Sequence, residues 1–151
     1  MKPLTIAEIE YVAHDLARKL MAWDESIPDF CTRYPNILER CLVAPFQAFG
    51  GKTLYKGLVG KTSILFYLMI KNHPFQNGNK RVAVMTLLCF LHKNKKWLKV
   101  DEVELYNFAR WVAESNPKVK EATVEAIEKF TKTYLVNLWD NLLWRGIKSR
   151  F

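Results

Sequence analysis

Apolar residues recur at helical spacing along most of the chain. Ile6, Ile9, Val12, Ala13, Leu16 and Leu20 share one helical face, and Thr5 with Glu8 makes a capping-box pattern at its start. This helix is expected to run to about Trp23. The stretches "DESIPDF" and "RYPN" read as loops, and a second helix is expected from roughly Ile37 to Phe49. "GGKTLYKG" reads as a glycine-bounded loop or short hairpin. A third helix is expected from about Leu58 to Asn72, closed by Pro74, because proline pushes the residue before it out of the helical region. A fourth, from Lys80 to about Asn94, is apolar nearly all round, so it belongs at the centre of the fold. "HKNKKWLKV" reads as a turn with a short extended piece. Asp101 with Glu104 forms a second capping pattern, for a helix reaching about Glu114. Pro117 sits where proline suits a first helical turn, and the last helix is expected to continue through "LVNLWDNLLW". Strand signals are weak, so the pattern predicts an all-α domain with one short flap.

Composition narrows the partners more than the fold. At 151 residues the chain is long enough to bury one real core. A net charge of +8 favours an acidic partner, but the lysines of "HKNKKWLK" and "NPKVKEA" are scattered as on a solvated surface. A nucleic-acid site is therefore the weaker reading, and it would announce itself by steep salt dependence. Cys31, Cys41 and Cys89 lack metal-ligand spacing and sit among apolar residues. They are expected to act as small buried hydrophobes, as suits a reducing cytoplasm. "MKPLTIAEIE" acquires acids at once and "SILFYLMI" is too short to span a bilayer, so a cytoplasmic chain with no membrane partner is expected.

The stretch from His73 to Arg81, "HPFQNGNKR", asks for more than a turn. A turn needs glycine or proline, not a histidine at one end and Lys-Arg at the other. Placed on the predicted scaffold, it joins the end of one helix to the start of the buried one. That helix start presents unsatisfied N–H groups and partial positive charge. Gly78 lets backbone approach a ligand, and Asn79, Lys80 and Arg81 add donors and charge, which suits phosphates. His73, across the turn, can take a proton near neutral pH. Taken singly, His-Pro and Asn-Gly are common turn elements and Lys-Arg is common surface charge. Their joint spacing favours an anion site facing a base, the arrangement that transfer from a nucleotide to a hydroxyl needs. His14 and His92 fall on helices and are expected to pack or face solvent. Trp23, Trp97 and Trp111 are expected in the core or at its boundary.

"HPFQNGNKR" resembles the Fic/Doc signature: His-Pro-Phe, two variable positions, Gly-Asn, a variable position, and Arg. "FGGKTLYKGLVGKTSILFYLMIKN" is similar to the flap and preceding helix of death-on-curing (Doc) proteins, and "DEVELYNFARWVAES" to their following helix. The resemblance covers about Leu4 to Ser115 and implies a compact Fic/Doc helical bundle. The corresponding domain is placed at 1–137, with 138–151 a C-terminal helical extension. Fic enzymes transfer AMP to target hydroxyls; their motif has glycine at the position of Lys80 and a second arginine at that of Val84. Doc toxins carry Asn-Lys-Arg, lack that arginine, and phosphorylate a protein target. Lys80 and Val84 point to the Doc branch.

The resemblance therefore implies a Doc-like toxin that moves the γ-phosphate of ATP, or another NTP, to a Ser/Thr hydroxyl of a protein such as a translation elongation factor. His73 would be the general base, Asn79 would bond phosphate oxygens, Lys80 and Arg81 would neutralise phosphate charge, and Gly78 would offer a backbone N–H. Phe75 would anchor the loop. Gly50, Gly51, Lys52, Thr53, Leu54 and Tyr55 would form the flap that positions the target. Asn77 stands where the family most often has an acidic Mg²⁺ ligand; an amide oxygen can ligate Mg²⁺ but brings no charge. The alternatives are nucleotide transfer of the Fic type, and a Fic-fold binding module whose turnover is weakened through Asn77. Self-restrained Fic proteins carry a Ser/Thr-x-x-x-Glu-Gly/Asn pattern, which these residues do not contain. Restraint by an antitoxin in trans is therefore expected. An apolar stripe of Leu135, Leu138, Trp139, Leu142 and Leu143, with Arg145, Lys148 and Arg150 beyond it, would pack on the domain, or dock the antitoxin or a second copy of the chain.

Overall fold

The computed structural model describes residues 1–21 and 26–140. The first helix begins as α1 (Ile6–Glu8), widens through a π-helical stretch, Ile9–His14, and continues as α2 (Asp15–Leu20). The Thr5–Glu8 capping box forms: Thr5 Oγ1 accepts from the Glu8 N–H, and Glu8 accepts from the Thr5 N–H. Then follow α3 (Pro35–Val43), a 3-10 turn (Ala44–Phe46), the strands β1 (Ala48–Phe49) and β2 (Lys52–Thr53), and α4 (Gly57–Lys71). After the motif loop come α5 (Asn79–Lys93), β3 (Lys96–Leu98), α6 (Glu102–Glu114), a 3-10 turn (Pro117–Val119), α7 (Lys120–Tyr134) and β4 (Leu135–Asn137).

The centre is the antiparallel pair α4 and α5, joined by the motif loop. Both are apolar on nearly every face, and the buried residues include Ile64, Phe66, Met69 and Ile70 on α4 and Val82, Leu87, Phe90 and Leu91 on α5. The first helix, α6 and α7 cover this pair, which explains the missing polar face on each. Phe108 stacks between Phe66 and Phe130, tying α6 to α4 and α7. The mostly helical bundle with a short hairpin before the central pair agrees with the expected class.

Several local expectations need correction. The last helix stops at Tyr134, and Leu135–Asn137 instead pairs antiparallel with Lys96–Leu98, so the domain has a second small hairpin. "LVN" satisfies both a helical stripe and a short strand, and the partner segment, "KWL", already left its turn extended. The chain flanking this pair is tied as well: the Lys99 N–H donates to Tyr134 O at 2.8 Å. The second helix ends at Val43, because Gln47 onward belongs to the flap. Asp101 occupies the N-cap of α6 without a side-chain cap bond, and Glu104 instead accepts from the Tyr134 hydroxyl at 2.7 Å. Cys41 is buried, but Cys31 is exposed on a 3-10 turn and Cys89 is half-buried. Trp111 is 48% exposed at the bundle surface. Leu138 and Trp139 follow β4 in a 3-10 turn, not a helix. Trp23, Leu142, Leu143, Arg145, Lys148 and Arg150 lie outside the described residues. Among the described residues no helix is long and apolar enough to cross a membrane.

Candidate active site

The motif loop is held from below. Pro74 and Phe75 are buried while His73 is exposed, so the imidazole stands at the surface on an anchored stem. The Phe75 ring lies 5.3 Å from His14 and 6.0 Å from Phe30. The Pro74 carbonyl accepts from the Tyr34 N–H at 2.9 Å, which ties the loop to the start of α3. His73 itself adopts φ 51°, a left-handed conformation that few non-glycine residues take, although histidine is among the more tolerant. Such strain costs about 1–3 kcal/mol and persists only where the surroundings over-determine it. The buried Pro74 and Phe75 supply that constraint.

Asn79 closes the loop. Its side-chain oxygen accepts from the Phe75 N–H at 3.0 Å, and its amide nitrogen donates to the Phe75 carbonyl at 2.9 Å. The side chain is thus occupied by the loop's own backbone. Gly78 is the N-cap of α5, at φ 76°, and offers no side chain to satisfy the first-turn N–H groups. A Cβ there would also lie 2.6 Å from Ile27 Cγ1, so chain packing as well as backbone conformation requires glycine. Lys80 is half-exposed on the first turn. Arg81 is 3% exposed and its Nη1 donates to the Met21 carbonyl at 3.0 Å. Its charge lies beneath the loop, where it also fastens α5 to the end of α2. Val84, one turn further on, is 1% exposed.

The flap is a short hairpin with a two-residue turn. Gly50 and Gly51 have φ 58° and 78°, the double left-handed geometry of a type I′ turn. Ala48 pairs with Thr53 and Phe49 with Lys52. At its foot, the Leu54 N–H donates to the Gln47 carbonyl and the buried Lys61 donates to the Tyr55 carbonyl. A cleft of about 700 Å³ opens at the foot of the flap, lined there by Gln47 and Tyr55 and, at the end of α4, by Asn72, the residue before His73.

Sequence reasoning gave His14 no part in this site, yet it supports the anchor. It is 2% exposed, between Phe30 and Phe75, and its Nε2 contacts the Pro28 carbonyl at 3.0 Å. Burial lowers its pKa below 6.5, against the opposing pull of that carbonyl. Its place on the apolar side of the first helix, next to Ala13 and Ala17, is the signal that marks a packed histidine. Ile27, behind Gly78, left no signal because it comes from a loop.

Residues 3–91 match the Fic/DOC family. The match covers more than half of the chain and takes in the flap, α4, the motif loop and most of α5, and the chain belongs to that family. Its members are generally transferases, typically using a nucleotide with Mg²⁺. No match was found among curated proteins or among solved structures.

Proposed function

We propose that the chain is a Doc-like toxin that transfers the γ-phosphate of ATP to a Ser/Thr hydroxyl of a protein target. One observation carries the reading: an exposed histidine opens an anchored loop that ends at the uncapped start of a central helix bearing Lys80. In this reading the first turn of α5 and Lys80 hold phosphate oxygens, while the acceptor hydroxyl approaches from the flap side. His73 takes the hydroxyl proton, the hydroxyl oxygen bonds the γ-phosphorus, and the bond to the β–γ bridging oxygen breaks, releasing ADP. The Asn77 amide oxygen would be the motif's own ligand for the Mg²⁺ that accompanies a nucleotide, and the ion would supply charge to offset that of the phosphates.

The choice of γ-phosphate over nucleotidyl transfer rests on Lys80 and Val84. A lysine fills space that glycine would leave for an α-phosphate, and the buried Val84 supplies no second arginine for a γ-phosphate clamp. We further propose restraint by an antitoxin in trans, because the inhibitory pattern is missing from these residues and the arginine it would engage is replaced. The test is incubation with ATP labelled at the γ or the α position, in a cell extract with and without antitoxin. Label from γ alone supports the kinase, label from α supports nucleotidyl transfer, and neither, with nucleotide bound, supports a binding module.

A further inference from the structure

We infer that the cleft at the foot of the flap, bounded by α3, the end of α4 and the start of α7, is a recognition subsite for an acidic side chain of the acceptor protein, read by Arg40 with Lys120 beside it. This rests on the reading that the chain modifies a protein hydroxyl. The cleft, about 700 Å³, has the size of a ligand pocket. Its walls come from four elements: Arg40 from α3, Gln47 and Tyr55 from the flap foot, Asn72 from the end of α4, and Lys120 from the start of α7. Arg40 and Asn72 also line an adjoining cavity of about 210 Å³. They therefore stand where the two spaces meet, and Asn72 is the residue before His73.

Charge decides what fits. The cleft holds two cations and a single carboxylate, that of Glu39. The ion pairs among the described residues join Arg18 to Asp29, Lys19 to Asp15 and Lys93 to Glu8, so Arg40 has no ion-pair partner among them. A guanidinium in that state suits a carboxylate, which it can grip with two parallel hydrogen bonds. In the proposed reading the nucleotide phosphates lie elsewhere, at the first turn of α5, and no residue from 73 to 81 lines this cleft. The cleft meets the loop through Asn72, on the side where the chain enters, whereas the helix-start anion site is built on the side where it leaves. A peptide laid along the flap with its hydroxyl at His73 would put a neighbouring side chain into the cleft. An aspartate or glutamate there would meet Arg40.

The probe is a pair of fluorescein-labelled peptides with a central serine, flanked by aspartates in one and by asparagines in the other. Their binding is read by anisotropy with the full chain, and ATP binding is read by calorimetry on the same samples. The wild type is expected to bind the aspartate peptide at least tenfold more tightly. Arg40→Glu should abolish that preference and Lys120→Glu should reduce it, with ATP affinity and thermal melting unchanged. Equal binding of the two peptides by the wild type would overturn the subsite, as would a preference that survives Arg40→Glu. Loss of ATP affinity in Arg40→Glu with the peptide preference intact would assign the cleft to the nucleotide instead. None of these readouts needs turnover, so failure of γ-label transfer would fall on the proposed reaction and not on the subsite.

Discussion

Residues 73–79 of the motif loop and the flap of residues 47–55 both depend on left-handed backbone, but they are stabilised in different ways. The flap uses glycine at both left-handed positions, and a Cβ on either would meet nothing within 4 Å. Phe49 is 81% exposed at its tip, and its ties to the bundle, the Lys61 bond among them, lie at the foot. The motif loop carries one left-handed glycine and one left-handed histidine, and both are braced by neighbours: Ile27 behind Gly78, and buried Pro74 and Phe75 after His73. Glycine in the flap thus answers only to a turn, while Gly78 answers to a turn and to packing. A loop built to hold reacting groups is over-determined, and a hairpin that meets a partner can be left to its own few bonds.

The largest effect should follow removal of the base. His73→Ala deletes an exposed side chain but keeps the Cβ that makes the left-handed backbone costly, so stability should change little, while transfer should fall by about 10²–10⁴. Kinetic assay beside a thermal melt checks both. Phe75→Ala should instead cost stability, about 3–5 kcal/mol, by emptying the space against His14 and Phe30, and should lower activity with it. Urea unfolding reads that loss.

The two kinds of glycine give the sharpest comparison. Gly78→Ala should cost about 1–3 kcal/mol through backbone strain and the clash with Ile27. Pairing it with Ile27→Ala should recover part of that loss, as a double-mutant cycle would show. Gly51→Ala should cost only about 1 kcal/mol, confined to the hairpin. Hydrogen exchange should rise at Leu54 while exchange in α4 and α5 stays unchanged.

The smallest effect is a pH dependence. Burial lowers the His14 pKa from 6.5, so below that pH the unfolded chain takes up a proton that the folded chain refuses. Stability contributed by neutral His14 is therefore full above pH 6.5 and lost as pH falls toward the folded value. His92 is lowered by burial too and contributes in the same window. His14→Leu should flatten the melting-temperature profile between pH 6.5 and 5 relative to wild type, with His92→Leu as the control for the remaining slope. An unchanged profile in His14→Leu would remove His14 from the support of the anchor.

How much of this was legible in the sequence follows from the range of the interactions. α4 and α5 were read within one residue because their apolar runs are long and their ends carry Pro74 and Gly78. A short hairpin was one of two readings of the stretch that Gly50-Gly51 opens, since its turn is local, but its first strand, Ala48–Phe49, read as the end of the second helix. The β3–β4 pair was missed because its partners lie about forty residues apart and "LVN" fits a helix as well as a strand. The inward course of Arg81 was missed for the same reason: its acceptor, the Met21 carbonyl, belongs to another helix, and Lys-Arg reads as two equivalent charges. Glu104 looked like a cap because Asp101 precedes it by three, yet the Tyr134 hydroxyl took it. Local chemistry was visible; side chains whose partners come from distant segments were not.

The most direct measurement is the intact mass of the acceptor protein after incubation with ATP, Mg²⁺ and either the wild-type chain or His73→Ala. The account predicts a gain of one phosphoryl group with the wild type and none with His73→Ala, with both proteins equally folded and equally able to bind ATP. A gain of a nucleotidyl group, or a phosphoryl gain undiminished in His73→Ala, would contradict it.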